Sequence, residues 1–361
     1  MFFTSPQAAL ASLALSAVAA SATQSLSLKV AAYILVLTPY PSCAGPSDVT
    51  DVENLKVTTS ITNTGDETLK LFNHPRSALS KLPANTFVIG NSAGASPRFT
   101  GVYAKYSMDH IVAKNSSAFT VLAPGESVDK EHDLSAAYDF TDSGEDAYDF
   151  DTDKTFYHLA DNGTIVPLEA STSKHSAKLA GKLAVARLPI AKRADFNKCN
   201  ETQSAQINDA VEAATNYAAE AYEFLSDHNS TTKRYKAWFG KFNSTRYDKV
   251  SSHFQHIHEG DYTSFKYDCT CDEDGTFAYV YPEDYGVIYL CPAFWEAETT
   301  GTDSRGGTLI HEASHFDKNG GTDDIVYQKD GAKDLAKNKP NQAVMNADNH
   351  EYFAENHPSL S

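Results

Sequence analysis

Positive charge is in short supply. The chain of 361 residues holds 30 Lys and Arg against 47 Asp and Glu, a formal net charge of −17 at pH 7. Nucleic acid is therefore excluded as the main partner, because phosphate contacts need clustered cationic side chains. Long hydrophobic runs are scarce too: the stretch Ala31–Leu37 falls far short of the ~20 residues needed to span a bilayer, and no other segment comes close. Cysteine is sparse, at five residues, and no Cys/His pair completes a zinc site around Cys269-Thr270-Cys271. What is present is ordinary for a globular protein, with 21% charged and 11% aromatic residues. Wholesale disorder is excluded, and the length allows roughly two domains.

The acidity is unevenly placed. Residues 1–193 carry 16 basic and 19 acidic side chains, whereas residues 194–361 carry 14 and 28. The division falls at Lys192-Arg193, a dibasic pair of the kind a processing protease cleaves in an exported precursor. At the N-terminus an apolar stretch from Ala8 to Ala20 is followed by small residues, which predicts a secretory signal peptide over residues 1–20 and an extracellular protein. Between the two signals, short alternating runs predict strands. Leu55, Val57, Thr59 and Ile61 fall on one face, Asn63-Thr64-Gly65-Asp66 makes a turn, and Leu69 and Leu71 begin the return. Phe87–Gly90, Phe99–Tyr106, Phe119–Leu122 and Thr164–Leu168 follow. Beyond the pair, Ile207, Ala210, Val211, Ala214, Ala218, Ala221, Tyr222 and Leu225 recur at helical spacing. The chain reads as a β-rich prosegment, residues 21–193, with the character of a small β-sandwich, then a mainly helical mature domain, residues 194–361.

Cys199, Cys269, Cys271 and Cys291 lie in the mature region and Cys43 outside it. An oxidising compartment favours disulfides over a metal site. A direct Cys269–Cys271 bridge would strain its loop, which leaves two connectivities open. The segment around Cys43 interrupts a strand pattern running from Ser27–Val30 to Asn54–Val57 and reads as an insertion, of the kind an error in the gene model would produce. Five N-x-S/T sequons, at Asn115, Asn162, Asn200, Asn229 and Asn243, fit an exported glycoprotein.

The chemistry is concentrated in His311-Glu312-Ala313-Ser314-His315. On a helix, positions i and i+4 share a face, so both imidazoles can ligate one zinc ion. Glu312 beside them can take a proton from the attacking water and pass it to the leaving amine. The longer metzincin signature is excluded, because its Gly and His positions fall on Lys318 and Gly321. A third ligand is available from Glu351 or Glu355 in a later helix, or from Asp323 or Asp324, where Gly320 and Gly321 let the chain turn back toward the metal. Asp348 and Glu351, three residues apart, would point the same way on a helix. His253, His256 and His258 read as structural, and the tyrosine-rich stretch Phe277–Leu290 as a β-hairpin offering an edge to an extended substrate.

HEASH followed by GTDDIVY resembles the aspzincin pattern of the deuterolysin family, and the similarity is strongest to the fungal peptidyl-Lys metalloendopeptidases. It extends over nearly all of residues 195–361, including CTCDEDGTFAYVYPEDYGVIYLCPAFW and AVMNADNHEYFAEN. The resemblance implies Asp324 as third ligand, Tyr327 as hydrogen-bond donor to the tetrahedral intermediate, and disulfides Cys199–Cys269 and Cys271–Cys291. It also implies cleavage on the N-terminal side of lysine, with Asp348 and Glu351 forming the S1′ pocket. Two carboxylates at the end of a narrow pocket would hold an extended ammonium and discourage apolar or larger planar side chains.

The expected fold class is α+β: a mainly helical zincin-like metalloprotease domain with a small β-sheet or hairpin, preceded by the β-sandwich-like propeptide. The expected protein is a secreted monomer with one Zn2+ ion, acting on lysine-containing proteins and peptides and matured by a dibasic processing protease at Lys192-Arg193. A broad-specificity deuterolysin-like endopeptidase and a catalytically silent binding protein are the alternatives.

Overall fold

The computed structural model describes residues 24–33, 48–114, 118–173, 175–185 and 196–360. The expected signal peptide, the segment around Cys43, the sequon at Asn115 and the pair Lys192-Arg193 lie outside the described residues. The described residues hold both helix and sheet, strands prevailing before residue 196 and helices after it, and no helix among them is long and apolar enough to cross a membrane.

The N-terminal region contains three four-stranded sheets. In the first, Leu26–Tyr33 and Lys56–Asn63 run antiparallel, with Ser127–Asp133 on the far side of the latter. The predicted alternation is visible in Lys56–Asn63, where Val57, Thr59 and Ile61 are wholly buried. The predicted return is corrected. The turn exists, with the Gly65 N–H donating to Asn63 Oδ1 at 3.0 Å, but Leu69–Phe72 pairs with Phe119–Leu122 and Thr155–Leu159 in a different sheet. Side chains of the first sheet meet those of the second in one apolar cluster, Val57 against Ile89, Tyr148 and Phe150, and those of the third in another, Ile61 against Leu71 and Phe156.

The first helix of the C-terminal region is Glu201–Asp227, closed at its start by a reciprocal pair of bonds between Asn200 and Gln203. Its buried stripe, Ile207, Ala210, Ala214, Ala218, Ala221 and Leu225, follows the predicted period, and Tyr222 sits half-buried beside it. Disulfides join Cys199 to Cys269 and Cys271 to Cys291. The tyrosine-rich hairpin belongs to a five-stranded sheet. Lys266–Asp268 pairs with Val287–Leu290, which pairs antiparallel with Thr276–Val280.

One outer strand of that sheet is Phe196–Asn197, paired with Lys266–Asp268, and the other comes from the N-terminal region. Tyr103–Tyr106 lies antiparallel on Thr276–Val280, with Ala104 opposite Tyr279 and Lys105 opposite Ala278. The single run predicted over Phe99–Tyr106 is broken, since Arg98–Phe99 pairs instead with Tyr138–Asp139. Apolar packing seals the join: Tyr106 and Ile111 bury against Phe72, and Ala104 with Val102 packs under Tyr279 and Tyr281. Each such fully buried large side chain contributes about 1.5–3 kcal/mol.

Candidate active site

The helix Arg305–His315 is buried along its whole length. Ser304 caps it, accepting from the Gly307 N–H at 2.9 Å. Two glycines inside a helix cost about 1 kcal/mol each relative to alanine, and close packing explains them. A Cβ on Gly306 would meet Ala213 Cβ at 2.7 Å, and one on Gly307 would meet Glu355 Oε1 at 2.1 Å. Glu355 occupies that space because it accepts from both the N–H and the hydroxyl of Ser304 at 2.8 Å. Of the two later glutamates weighed as ligands, Glu355 therefore anchors the helix instead.

His311 and His315 project from one face toward Asp324, which the chain presents after turning at Gly321 (φ 54°). Asp324 Oδ1 lies 3.1 Å from His311 Nε2 and 3.3 Å from His315 Nε2. All three side chains are buried and their ligand atoms lie within 4.8 Å of one another; Asp323 is outside the group. Spacing left Asp323 and Asp324 open, and the fold brings only the second to the imidazoles. His315 donates its Nδ1–H to the Thr322 carbonyl at 2.9 Å, which leaves Nε2 free to face the centre. That Nε2 is buried without a hydrogen-bond partner. Burial works against the charge of Asp324, yet His315 and His311 beside it hold the carboxyl far below the usual carboxylate range. Two imidazoles and a carboxylate, buried and incompletely paired, fit a zinc ion by donor type and number.

The neighbouring groups converge on the strand Tyr103–Tyr106. Burial pushes the Glu312 carboxyl up to about 7, with His311 and His315 pulling against it. Its Oε1 accepts the Lys105 N–H at 3.2 Å, while the Tyr327 hydroxyl donates to the Ala104 carbonyl at 3.0 Å. Asp348 and Glu351 do face the same way from helix Ala347–Glu355. The Lys105 ammonium sits against them, 2.6 Å from Glu351 Oε2 and 3.9 Å from Asp348 Oδ1. The same two carboxylates contact the centre, lying 3.2 Å and 3.0 Å from His311 Nδ1.

Sequence reasoning missed Asp303. Its Oδ1 is 2.6 Å from Lys105 Nζ and accepts from the Tyr352 hydroxyl at 2.8 Å. The residue holds a left-handed backbone conformation (φ 51°) just before the helix cap, which Asp tolerates better than most residues. Its position in Gly301-Thr302-Asp303-Ser304, one residue ahead of the cap, was the only local signal. Lys105 was missed altogether.

A buried triad whose donors could hold a metal ion, beside a carboxylate poised near neutrality and with an extended strand laid across both, suits hydrolysis of peptide bonds, and the class this points to is the metallopeptidases. Comparison with known proteins narrows the class. The aspzincin family described as lysine-specific metallo-endopeptidase matches residues 224–355. The chain is 47% identical over 365 residues to a peptidyl-Lys metalloendopeptidase of Grifola frondosa, covering 99% of this chain and all of that one. It is equally 47% identical to a peptidyl-Lys metalloendopeptidase of Armillaria mellea over the full length of both. A solved zinc peptidase from Grifola frondosa aligns over 45% of this chain and all of its own, with 50% identity and a TM-score of 0.45. The protein belongs to the aspzincin family of zinc metalloendopeptidases.

Proposed function

We propose that the protein is an exported endopeptidase that cleaves on the N-terminal side of lysine. In this reading it is made with a signal peptide at residues 1–20, a β-sandwich-like propeptide at residues 21–193 and a mature, mainly helical catalytic domain at residues 194–361. A dibasic processing protease acts at Lys192-Arg193, and the mature enzyme works as a monomer on lysine-containing proteins and peptides.

The observation that carries the lysine reading is the fully buried ammonium of Lys105 among Asp303, Glu351 and Asp348. Burial alone pulls a lysine pKa down, but these three carboxylates outweigh it and hold Lys105 well above its ordinary 10.5. Rings of Phe277 and Tyr352 add contacts at 5.5 and 5.2 Å. A pocket that keeps an ammonium charged while dry discriminates strongly. An apolar side chain there would leave carboxylates buried and unpaired, at a cost of about 3–5 kcal/mol.

His311, His315 and Asp324 would hold one zinc ion, which supplies Lewis acidity, lowering the pKa of water and polarising a carbonyl. Glu312 takes the proton of the attacking water and delivers it to the leaving amine, a double task for which a pKa near neutrality is suited. The Tyr327 hydroxyl steadies the negative charge growing on the carbonyl oxygen.

The test is a digest of casein by the matured enzyme, read by mass spectrometry with and without a zinc chelator. New N-termini should be lysine and should vanish with chelation; cuts spread evenly over other residues would leave only a broad-specificity endopeptidase. Within the pocket, Asp303→Asn separates recognition from metal binding, because Asp303 does not touch His311. It is expected to lower kcat/KM for lysine at P1′ by about tenfold or more, the worth of one charged hydrogen bond, at unchanged zinc content. Asp348→Asn with Glu351→Gln should lower lysine cleavage further and weaken zinc retention as well. Equal loss on lysine and non-lysine peptides in the Asp303 variant would contradict the pocket assignment.

A further inference from the structure

We infer that the Ala104–Lys105 peptide bond is this enzyme's own intramolecular substrate, and that its hydrolysis opens the active site. The inference rests on the lysine reading above and extends it to the N-terminal region.

Three independent features of the strand Tyr103–Tyr106 agree with a bound substrate. The side chain fits: Lys105 fills the pocket lined by Asp303, Asp348 and Glu351. The bond fits: on one side of it the Ala104 carbonyl accepts from Tyr327, and on the other the Lys105 N–H is hydrogen-bonded to Glu312, the group that would protonate that nitrogen as it leaves. The polarity fits: the strand is antiparallel to Thr276–Val280, as an extended substrate added to a sheet edge can be. A strand of the opposite direction would aim a carbonyl, not an amide, at Glu312. A segment that merely plugged the cleft would have no reason to meet all three conditions.

The surroundings hold this register. The Tyr103 ring stacks on His315 with centroids 4.8 Å apart, the Ala104 N–H donates to Asp324 Oδ2 at 2.8 Å, and Arg76 Nη1 donates to the Asp324 carbonyl at 2.7 Å. Gly101 lets the chain enter, since a Cβ there would meet the Pro83 carbonyl oxygen at 2.0 Å. Held in this way, the bond competes with any external peptide at the high effective concentration of a tethered group.

The reaction balances as ordinary hydrolysis. Water adds to the Ala104 carbonyl carbon while Glu312 takes one of its protons. The carbon–nitrogen bond then breaks, its electron pair stays on the Lys105 nitrogen, and the proton held by Glu312 follows. The second proton of the water also passes to that nitrogen, so Ala104 ends in a carboxylate and Lys105 in a new ammonium. The two halves of the strand are then no longer joined, and the pocket can release Lys105.

The experiment uses the full-length precursor, purified in chelator and then given zinc, with fragments followed by mass spectrometry and activity by a short fluorogenic lysine peptide. A fragment beginning at Lys105 should appear as activity rises. Its rate constant should stay the same over a hundredfold dilution, because the cut is made within one molecule. Glu312→Gln precursor should keep the bond intact, and so should Lys105→Gln, whose strand still covers the cleft and should leave it as inactive on the short peptide as uncut wild type. Wild-type precursor that reaches full peptidase activity with Ala104–Lys105 intact overturns the inference, as does a rate constant that falls with dilution; neither readout depends on a variant folding. Failure of the matured enzyme to cut lysine peptides at all would overturn the lysine reading together with it.

Discussion

Glu312→Gln should lower kcat/KM on a lysine peptide by about a thousandfold, some 4 kcal/mol of transition-state stabilisation, while one zinc ion stays bound. The substitution keeps the size of the side chain and its place on the buried helix, and removes the ability to accept a proton. Glu312 Oε2 is buried without a hydrogen-bond partner, so the amide loses little by the exchange beyond its chemistry. The three proposed ligands are other residues, which is why metal content should be spared. Metal analysis of the purified variant decides the matter: loss of zinc alongside activity would make Glu312 a structural residue.

Asp324→Ala should have the opposite signature, with zinc affinity reduced by more than about a hundredfold, beyond what loss of an outer-shell partner costs, and activity restored only in part by excess metal. Asp324 is the one carboxylate in reach of both Nε2 atoms, and nothing else among the described residues stands ready to replace it there. Asp323→Ala is the control. Its backbone pairs with the segment at Asn346, and its carboxylate lies outside the ligand group, so its zinc affinity should remain near wild type. Competition with a chromophoric chelator measures both. If Asp323→Ala loses zinc and Asp324→Ala keeps it, the ligand assignment is wrong.

Much of the catalytic half was legible because its signals are local. The stripe from Ile207 to Leu225 repeats over many turns, and HEASH needs only one turn of helix to bring its imidazoles together. The third ligand was ambiguous for an equally local reason: adjacent aspartates differ by a backbone rotation that spacing does not encode. Leu69–Phe72 was misassigned because the Asn63 turn is real but says nothing about which sheet receives the chain after it. No local rule brings Lys105 and Asp303 to one site. They are 198 residues apart, neither stands in a motif, and only the folded N-terminal region brings the lysine to the carboxylates.

Asp348 and Glu351 lie between the Lys105 ammonium on one side and His311, a proposed zinc ligand, on the other. Negative charge drawn toward a lysine ammonium is charge withdrawn from the imidazole, so under the proposed function a zinc ion held by His311 would be the stronger Lewis acid when a lysine side chain fills the pocket. Capture and reactivity would then be thermodynamically linked, and the linkage would run both ways. A peptide lacking lysine would be penalised twice under the proposed function, once for binding poorly and again for failing to sharpen the centre that should attack it.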